Sequence, residues 1–151
     1  MSYFDLNLDI QQIIDNTGRV ANYFWERGWA GGNAGNISVY LPEFKESKEE
    51  ISCRISHKKF SYPHLGGDYF MVTASGRRMR DILRSPEENL CIVQIDPSGE
   101  TYKIVWGCKI GKFPTSEFNS HLGAYNIRKE MGKPISVVMH TQPLNMIALS
   151  I

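Results

Sequence analysis

The break at Gly28 constrains this chain more than any other feature. Upstream of it, over residues 6–27, Leu6, Ile10, Ile13, Ile14, Ala21, Phe24 and Trp25 recur at three- and four-residue steps. That is the period of one face of an α-helix, and Thr17-Gly18 is the point where the helix is expected to weaken. Downstream, the composition changes at once to GWAGGNAGN. NISVYL at 36–41 then alternates polar and apolar positions, as a half-buried strand does. An amphipathic helix feeding a strand through a glycine loop puts helices and strands in one core.

The rest of the chain continues the mixture. Residues 42–67 are polar and mixed in charge, with KESKEE in one half and SHKKFSYPH in the other. They read as a solvated loop carrying one short strand around 53–56. YFMVT at 69–73 is a buried strand ending at Ala74-Ser75-Gly76, and a short helix follows at 79–83. LCIVQID at 90–96 and TYKIVW at 101–106 flank Pro97-Ser98-Gly99, a hairpin signal. Pro114 leads into a helix over 116–131, with Thr115 or Ser116 as N-cap, Glu117 in the first turn and Gly132 as the stop. Residues 135–140 form a strand. Leu144, Ile147, Ala148 and Ile151 then have helical spacing but end with no cap, so residue 151 is not expected to be the natural end of the domain.

With 151 residues, 42% hydrophobic and 22% charged, the chain has the size and composition of one ordinary soluble domain. We therefore expect residues 1–151 to be the N-terminal portion of a single domain. Its net charge of +1 gives no electrostatic reason to expect a nucleic-acid or membrane partner. Cys53, Cys91 and Cys108 are an odd count without a CxxC pair, which fits a reducing compartment. The opening MSYFDLNLD lacks the pattern of a secretory signal, and no apolar run approaches the roughly 18 residues of a membrane span. A cytoplasmic protein is expected.

Candidate chemistry gathers where apolar runs end. Asn33-Ala34-Gly35-Asn36, Ser75-Gly76 and Thr115-Ser116-Glu117 combine small residues with neutral donors. Small residues let backbone N–H groups approach a ligand, and a helix N-terminus adds partial positive charge. Together they would make a pocket for a phosphate or similar anion, although GGNAG is also an ordinary turn sequence. GxGxxG and GxxxxGK[ST] are absent, so dinucleotide folds and P-loops have no support. Glu117 is either a first-turn carboxylate facing the helix dipole or, in a partly dry pocket, one whose raised pKa suits proton transfer. His121, four residues on, is placed to pair with it. His140 ends a strand, with Gln142 on the same side if the strand continues; it is a hydrogen-bonded strand-end histidine or a metal ligand. His57 and His64 sit in the polar loop and read as surface residues.

Taken in order, GWAGGNAGNISVYL at 28–41, YFMVTASGRRMRDI at 69–82, NLCIVQID at 89–96, YKIVWG at 102–107, PTSEFNSH at 114–121 and VVMHTQPLNMIALS at 137–150 resemble the class II aldolase and adducin family. Within it the likeness is strongest to the branch acting on L-rhamnulose 1-phosphate. The resemblance implies an α/β fold of three layers, with a central, mainly antiparallel sheet flanked by helices and assembly as a homotetramer. It implies cleavage of a ketose 1-phosphate to dihydroxyacetone phosphate and an aldehyde, here L-lactaldehyde, with Zn2+ as the Lewis acid that stabilises the enediolate. Carried across, Asn33, Gly35 and Asn36 hold the substrate and its phosphate, and Ser75, Gly76 and Ser116 add phosphate contacts. Glu117 moves the proton and His140 is the first zinc ligand.

Two departures accompany the resemblance. Gln142 stands where the family has its second zinc histidine, and a third ligand would come from a later part of the chain. Catalytic zinc takes three protein ligands and an open position, so residues 1–151 alone are expected to be inactive. The alternatives are a sister sugar-phosphate aldolase or epimerase, acting on L-fuculose 1-phosphate or a pentulose 5-phosphate, and a non-catalytic adducin-like binding module.

Overall fold

The N-terminal periodicity becomes α1 (Leu8–Glu26), whose first turn is capped by Asn7, its side chain accepting from the Ile10 N–H at 2.9 Å. Ile10, Ile14 and Ala21 are buried along one face. The expected weak point does not form, and the helix runs unbroken through Thr17-Gly18. Gly18 serves packing instead. A Cβ there would lie 2.6 Å from Leu83 Cδ2 and 3.3 Å from Ile82 Cγ2, so the missing side chain lets the 79–83 segment lie against the helix. The structure is a computed structural model and describes residues 2–45, 61–108 and 113–150. The strand expected at 53–56, with Cys53 and His57, lies outside the described residues.

The strands follow the alternation in the sequence. In chain order after α1 come β1 (Asn36–Tyr40), β2 (Tyr69–Thr73), the single turn α2 (Pro86–Asn89), β3 (Leu90–Ile95), β4 (Tyr102–Gly107), α3 (Phe118–Glu130), β5 (Val137–His140) and α4 (Leu144–Leu149). The strand order is β4-β3-β2-β1-β5 and every pairing is antiparallel. The hairpin falls where Pro97-Ser98-Gly99 placed it. Asp96 Oδ1 accepts from the Ser98 N–H at 2.9 Å and Gly99 takes φ of 74°, an Asx-type turn with the left-handed position filled by glycine.

Period-two alternation sorts the sheet into two cores. Ile37, Met71, Ile92 and Trp106 face the α1 side, where Ile10 and Ile14 pack. Phe70, Val72, Val93 and Ile104 face the other side, under Phe118, Leu122 and Tyr125 of α3. This is the expected helix–sheet–helix layering. Ile92 pairs with Trp106 but Val93 pairs with Ile104, so Val105 is the extra residue of a β-bulge. At the described ends of the 42–67 loop, Phe44 and Leu65 are buried rather than solvated. No helix among the described residues is long and apolar enough to cross a membrane.

Two boundaries bear on the site, and the first differs from expectation. α3 begins at Phe118, so Glu117 occupies the N-cap position rather than the first turn, and Thr115 and Ser116 lie before it. β5 stops at His140, and Gln142 lies beyond the strand with its N–H bonded to the Trp29 carbonyl at 2.8 Å. α4 carries its apolar residues Leu144, Met146 and Leu149 exposed.

Candidate active site

The end of the β1–β5 pair is the base of the site. Asn36 and His140 are directly opposite in the register, which puts their side chains on the same face of the sheet. Gly35 makes this possible. It takes φ of 83°, and a Cβ on it would sit 3.3 Å from both the His140 carbonyl and Ala30 Cβ. Only a residue without a side chain adopts that turn at so close an approach without strain.

Glu117 reaches this base from the start of α3. Its Oε2 accepts from Asn36 Nδ2 at 3.1 Å and lies 2.5 Å from His140 Nδ1. Asn36 Nδ2 and His140 Nδ1 are 3.5 Å apart. The three side chains therefore converge on one carboxylate oxygen. The raised pKa that a dry pocket would give Glu117 is not found, and its carboxyl is held below the usual value. The Asn36 amide is the largest cause, burial opposes it, and His140 adds to the lowering. Hydrogen bonds to the charged form outweigh desolvation because the side chain is only half-buried. Glu117 is thus an ionised proton acceptor at neutral pH.

A second wall stands beside it. Ala74 bridges Pro114, the Ser75 N–H donates to the Phe113 carbonyl at 2.8 Å, and the Thr115 N–H donates to the Thr73 carbonyl at 2.8 Å. These bonds lay 73–76 alongside 113–116. They bring Ser75 and Gly76 next to the segment that carries Ser116, immediately before Glu117. Gly76 is in the left-handed region at 67°, and Gly76 and Ser116 are both exposed. Asn33 lies in the same loop as Gly35, three residues upstream of Asn36. It is exposed and is not among the side chains bonded to Glu117.

His121 behaves differently from its sequence reading. Its Nδ1 is 2.7 Å from Ser38 Oγ rather than on Glu117, and Tyr125 donates to the Ser38 carbonyl at 2.9 Å. Burial lowers the His121 pKa, the Glu117 carboxylate opposes that, and His140 adds to it. The spacing signal was present in the sequence: Glu117, His121, Tyr125 and Lys129 stand four apart, one stripe of α3, and Asn36, Ser38 and Tyr40 share one face of β1. The stripe and the strand face meet as a polar seam. His64, expected at the surface, is exposed, 4.0 Å from Glu130.

The residues present do not assemble a zinc set. His140 has its Nδ1 against Glu117, Gln142 is exposed and offers an amide, and no group of three or more His, Cys, Asp or Glu among the described residues could hold a metal ion. One imidazole and one amide fall short of the three-ligand requirement.

Comparison with known proteins places this arrangement. Residues 18–151 match the Class II Aldolase and Adducin N-terminal domain. The chain is 34% identical over 140 residues to a rhamnulose-1-phosphate aldolase of Bacteroides thetaiotaomicron, covering 91% of this chain and 51% of that protein. It is 34% identical over 121 residues to a rhamnulose-1-phosphate aldolase of Listeria welshimeri, covering 78% of this chain and 43% of that protein. The crystal structure of a sugar-phosphate aldolase from Thermotoga maritima superposes with a TM-score of 0.77 at 31% identity, covering 93% of this chain and 57% of that one. The chain spans about half the length of the curated relatives it matches. A match over most of its residues, with the same fold beneath it, makes this chain a member of the class II aldolase and adducin family.

Proposed function

We propose that the protein is an aldehyde-lyase of L-rhamnose catabolism that cleaves L-rhamnulose 1-phosphate to dihydroxyacetone phosphate and L-lactaldehyde. The observation that carries the reading is the convergence of Asn36 and His140 on the Glu117 carboxylate beside the paired 73–76 and 113–116 segments. The hydroxyls of Ser75 and Ser116 and the backbone N–H groups of Gly76 and Ser116, with the loop of Asn33, Gly35 and Asn36, suit a phosphate dianion and the adjoining ketose oxygens.

In the cleavage direction the C3–C4 bond breaks and its electron pair passes toward the C2 carbonyl, giving an enediolate. Glu117, ionised before substrate arrives, takes the C4 hydroxyl proton as the aldehyde leaves and returns it to C3. The products are the aldehyde and dihydroxyacetone phosphate, and the carboxylate is restored. Zinc belongs to this reading as the Lewis acid of such chemistry, with His140 the residue placed to contribute to it. Cytoplasmic location and a homotetramer complete the proposal, with a sugar phosphate as the substrate class and neither nucleic acid nor membrane as a partner.

The test is a retro-aldol assay of the complete protein with added zinc on L-rhamnulose 1-phosphate, L-fuculose 1-phosphate and a pentulose 5-phosphate, with dihydroxyacetone phosphate release as the readout. Fastest release from the first supports the proposal. Preference for the second or third moves the activity to a sister sugar phosphate, and turnover of none overturns the enzymatic reading. The non-catalytic adducin-like module is favoured by one observation, Gln142 in place of an imidazole.

A further inference from the structure

Two buried polar atoms in the seam between α3 and β1 have no partner within the protein: Asn36 Oδ1 and His121 Nε2. Their side chains are 5% and 3% exposed, and a buried polar group left without a hydrogen bond costs free energy. The two atoms are chemically complementary. Tyr125 donates to the Ser38 carbonyl at 2.9 Å, and the Ser38 hydroxyl, 2.7 Å from His121 Nδ1 and 3.1 Å from Tyr125 Oη, is assigned as the donor in the shorter of its two contacts, to Nδ1. That bond selects the tautomer with the proton on Nε2. Asn36 spends its NH2 on Glu117 and is left with a bare acceptor. Asn36 and Ser38 are two residues apart on one strand face, so donor and acceptor belong to neighbouring rungs of the same ladder.

We propose that His121 is a positioning residue for the proposed aldolase reaction, acting on Glu117 through Asn36. Its Nε2–H donates to a single water that in turn donates to Asn36 Oδ1. Both orphan atoms are thereby satisfied, and the Asn36 amide is locked with its NH2 toward Glu117. A flipped amide would set a carbonyl oxygen against the carboxylate and remove the hydrogen bond that keeps it ionised. Ser38 and Tyr125 orient the imidazole, the imidazole orients the amide, and the amide orients the carboxylate. The other hydroxyls near the seam among the described residues are engaged elsewhere: Tyr125 donates to the Ser38 carbonyl, and Thr73 Oγ1 donates to the Ile37 carbonyl at 3.4 Å. The role rests on the proposed proton transfer by Glu117, but the amide lock does not require turnover to be seen.

The experiment uses the full protein labelled with 15N and the variants His121→Phe, His121→Gln and Ser38→Ala. In the wild type, the His121 ring nitrogens report the Nε2–H tautomer. His121→Phe shifts the Asn36 side-chain amide resonances, and His121→Gln, whose NH2 can stand in for Nε2–H, returns them toward their wild-type positions. In kinetics, His121→Phe lowers kcat about 10- to 100-fold with KM little changed, and adding it to Asn36→Ala causes no further loss. Should His121→Phe fail to fold, Ser38→Ala frees the ring and shifts the same amide. Asn36 resonances that stay in place in these variants, or losses that simply multiply in the double variant, overturn the proposal. A wild-type protein that turns over no sugar phosphate overturns the enzyme reading separately, and the amide shifts still decide the lock.

Discussion

Asn36 and His140 stand opposite each other across β1 and β5, and both side chains end on the same oxygen of Glu117. Two residues 104 positions apart in the chain thus hold a third that comes from neither strand. The sheet's register, rather than any single loop, fixes where the carboxylate sits.

Replacing Glu117 by Gln keeps the size and an acceptor oxygen but removes the proton acceptor. In the complete enzyme, turnover should fall about 10²- to 10⁴-fold, while the affinity for inorganic phosphate, bound by neighbouring groups, changes little. Steady-state rates and phosphate inhibition measure the two separately. Near-normal turnover would remove Glu117 from the proton-transfer role.

The strands could be read as apolar runs bounded by turn signals, but the α/β layering came from the family resemblance, because Phe70, Met71, Ile92 and Val93 are apolar on both faces and carry no alternation. The site was legible as a set of separate loops and strand ends, since glycine and small polar residues mark them locally. Which of them meet was not legible: Asn36, Glu117 and His140 come together through β5 returning to β1, a long-range choice that no local spacing records. The choice between the two readings of Glu117 was not legible for the same reason. The largest cause of its lowered pKa, the Asn36 amide, is 81 residues away. Gly18 was misread because helix propensity counts the cost of glycine in a helix and ignores what packs against it.

Alkaline pH should expose Tyr125. Burial, partly offset by its hydrogen bonds to Ser38 and Val138, raises its phenol to about 12 from 10.0. The folded state therefore favours the protonated form. Its contribution is fully present below pH 10 and is lost as pH rises from 10 through 12, roughly 3 kcal/mol by linkage. Ultraviolet titration should show Tyr125 ionising last or with unfolding. Tyr125→Phe should flatten the loss of stability above pH 10, and an unchanged profile would contradict the shift.

Gly107 is a second glycine that only glycine can fill. It takes φ of 79°, and a Cβ there would fall 2.2 Å from the Leu90 carbonyl oxygen and 2.9 Å from Cys91 Cα, all backbone. Gly107→Ala should destabilise the fold by about 2–3 kcal/mol, seen as a lowered melting temperature. An unchanged melting temperature would mean that the β3–β4 end is not packed as described.

Gln142→His tests the departure from the zinc pattern. A second imidazole two residues after His140 supplies a ligand of the type zinc prefers. The variant should retain more zinc than the wild type after exhaustive dialysis of the complete protein, measured by metal analysis. Equal retention would show that position 142 does not reach the ion.

The seam along α3 has a mechanical side. At the far end of the helix, Lys129 grips Asp68 at 2.6 Å, and at the near end Glu117 is gripped by β1 and β5. The two grips are twelve positions apart along the helix, a stiff rod about 18 Å long. Contacts at both ends of such a rod oppose its rolling or sliding. The azimuth at which the carboxylate is presented is therefore set by the buried Phe118, Leu122 and Tyr125 face of the helix, with an ion pair at the far end that never comes near it.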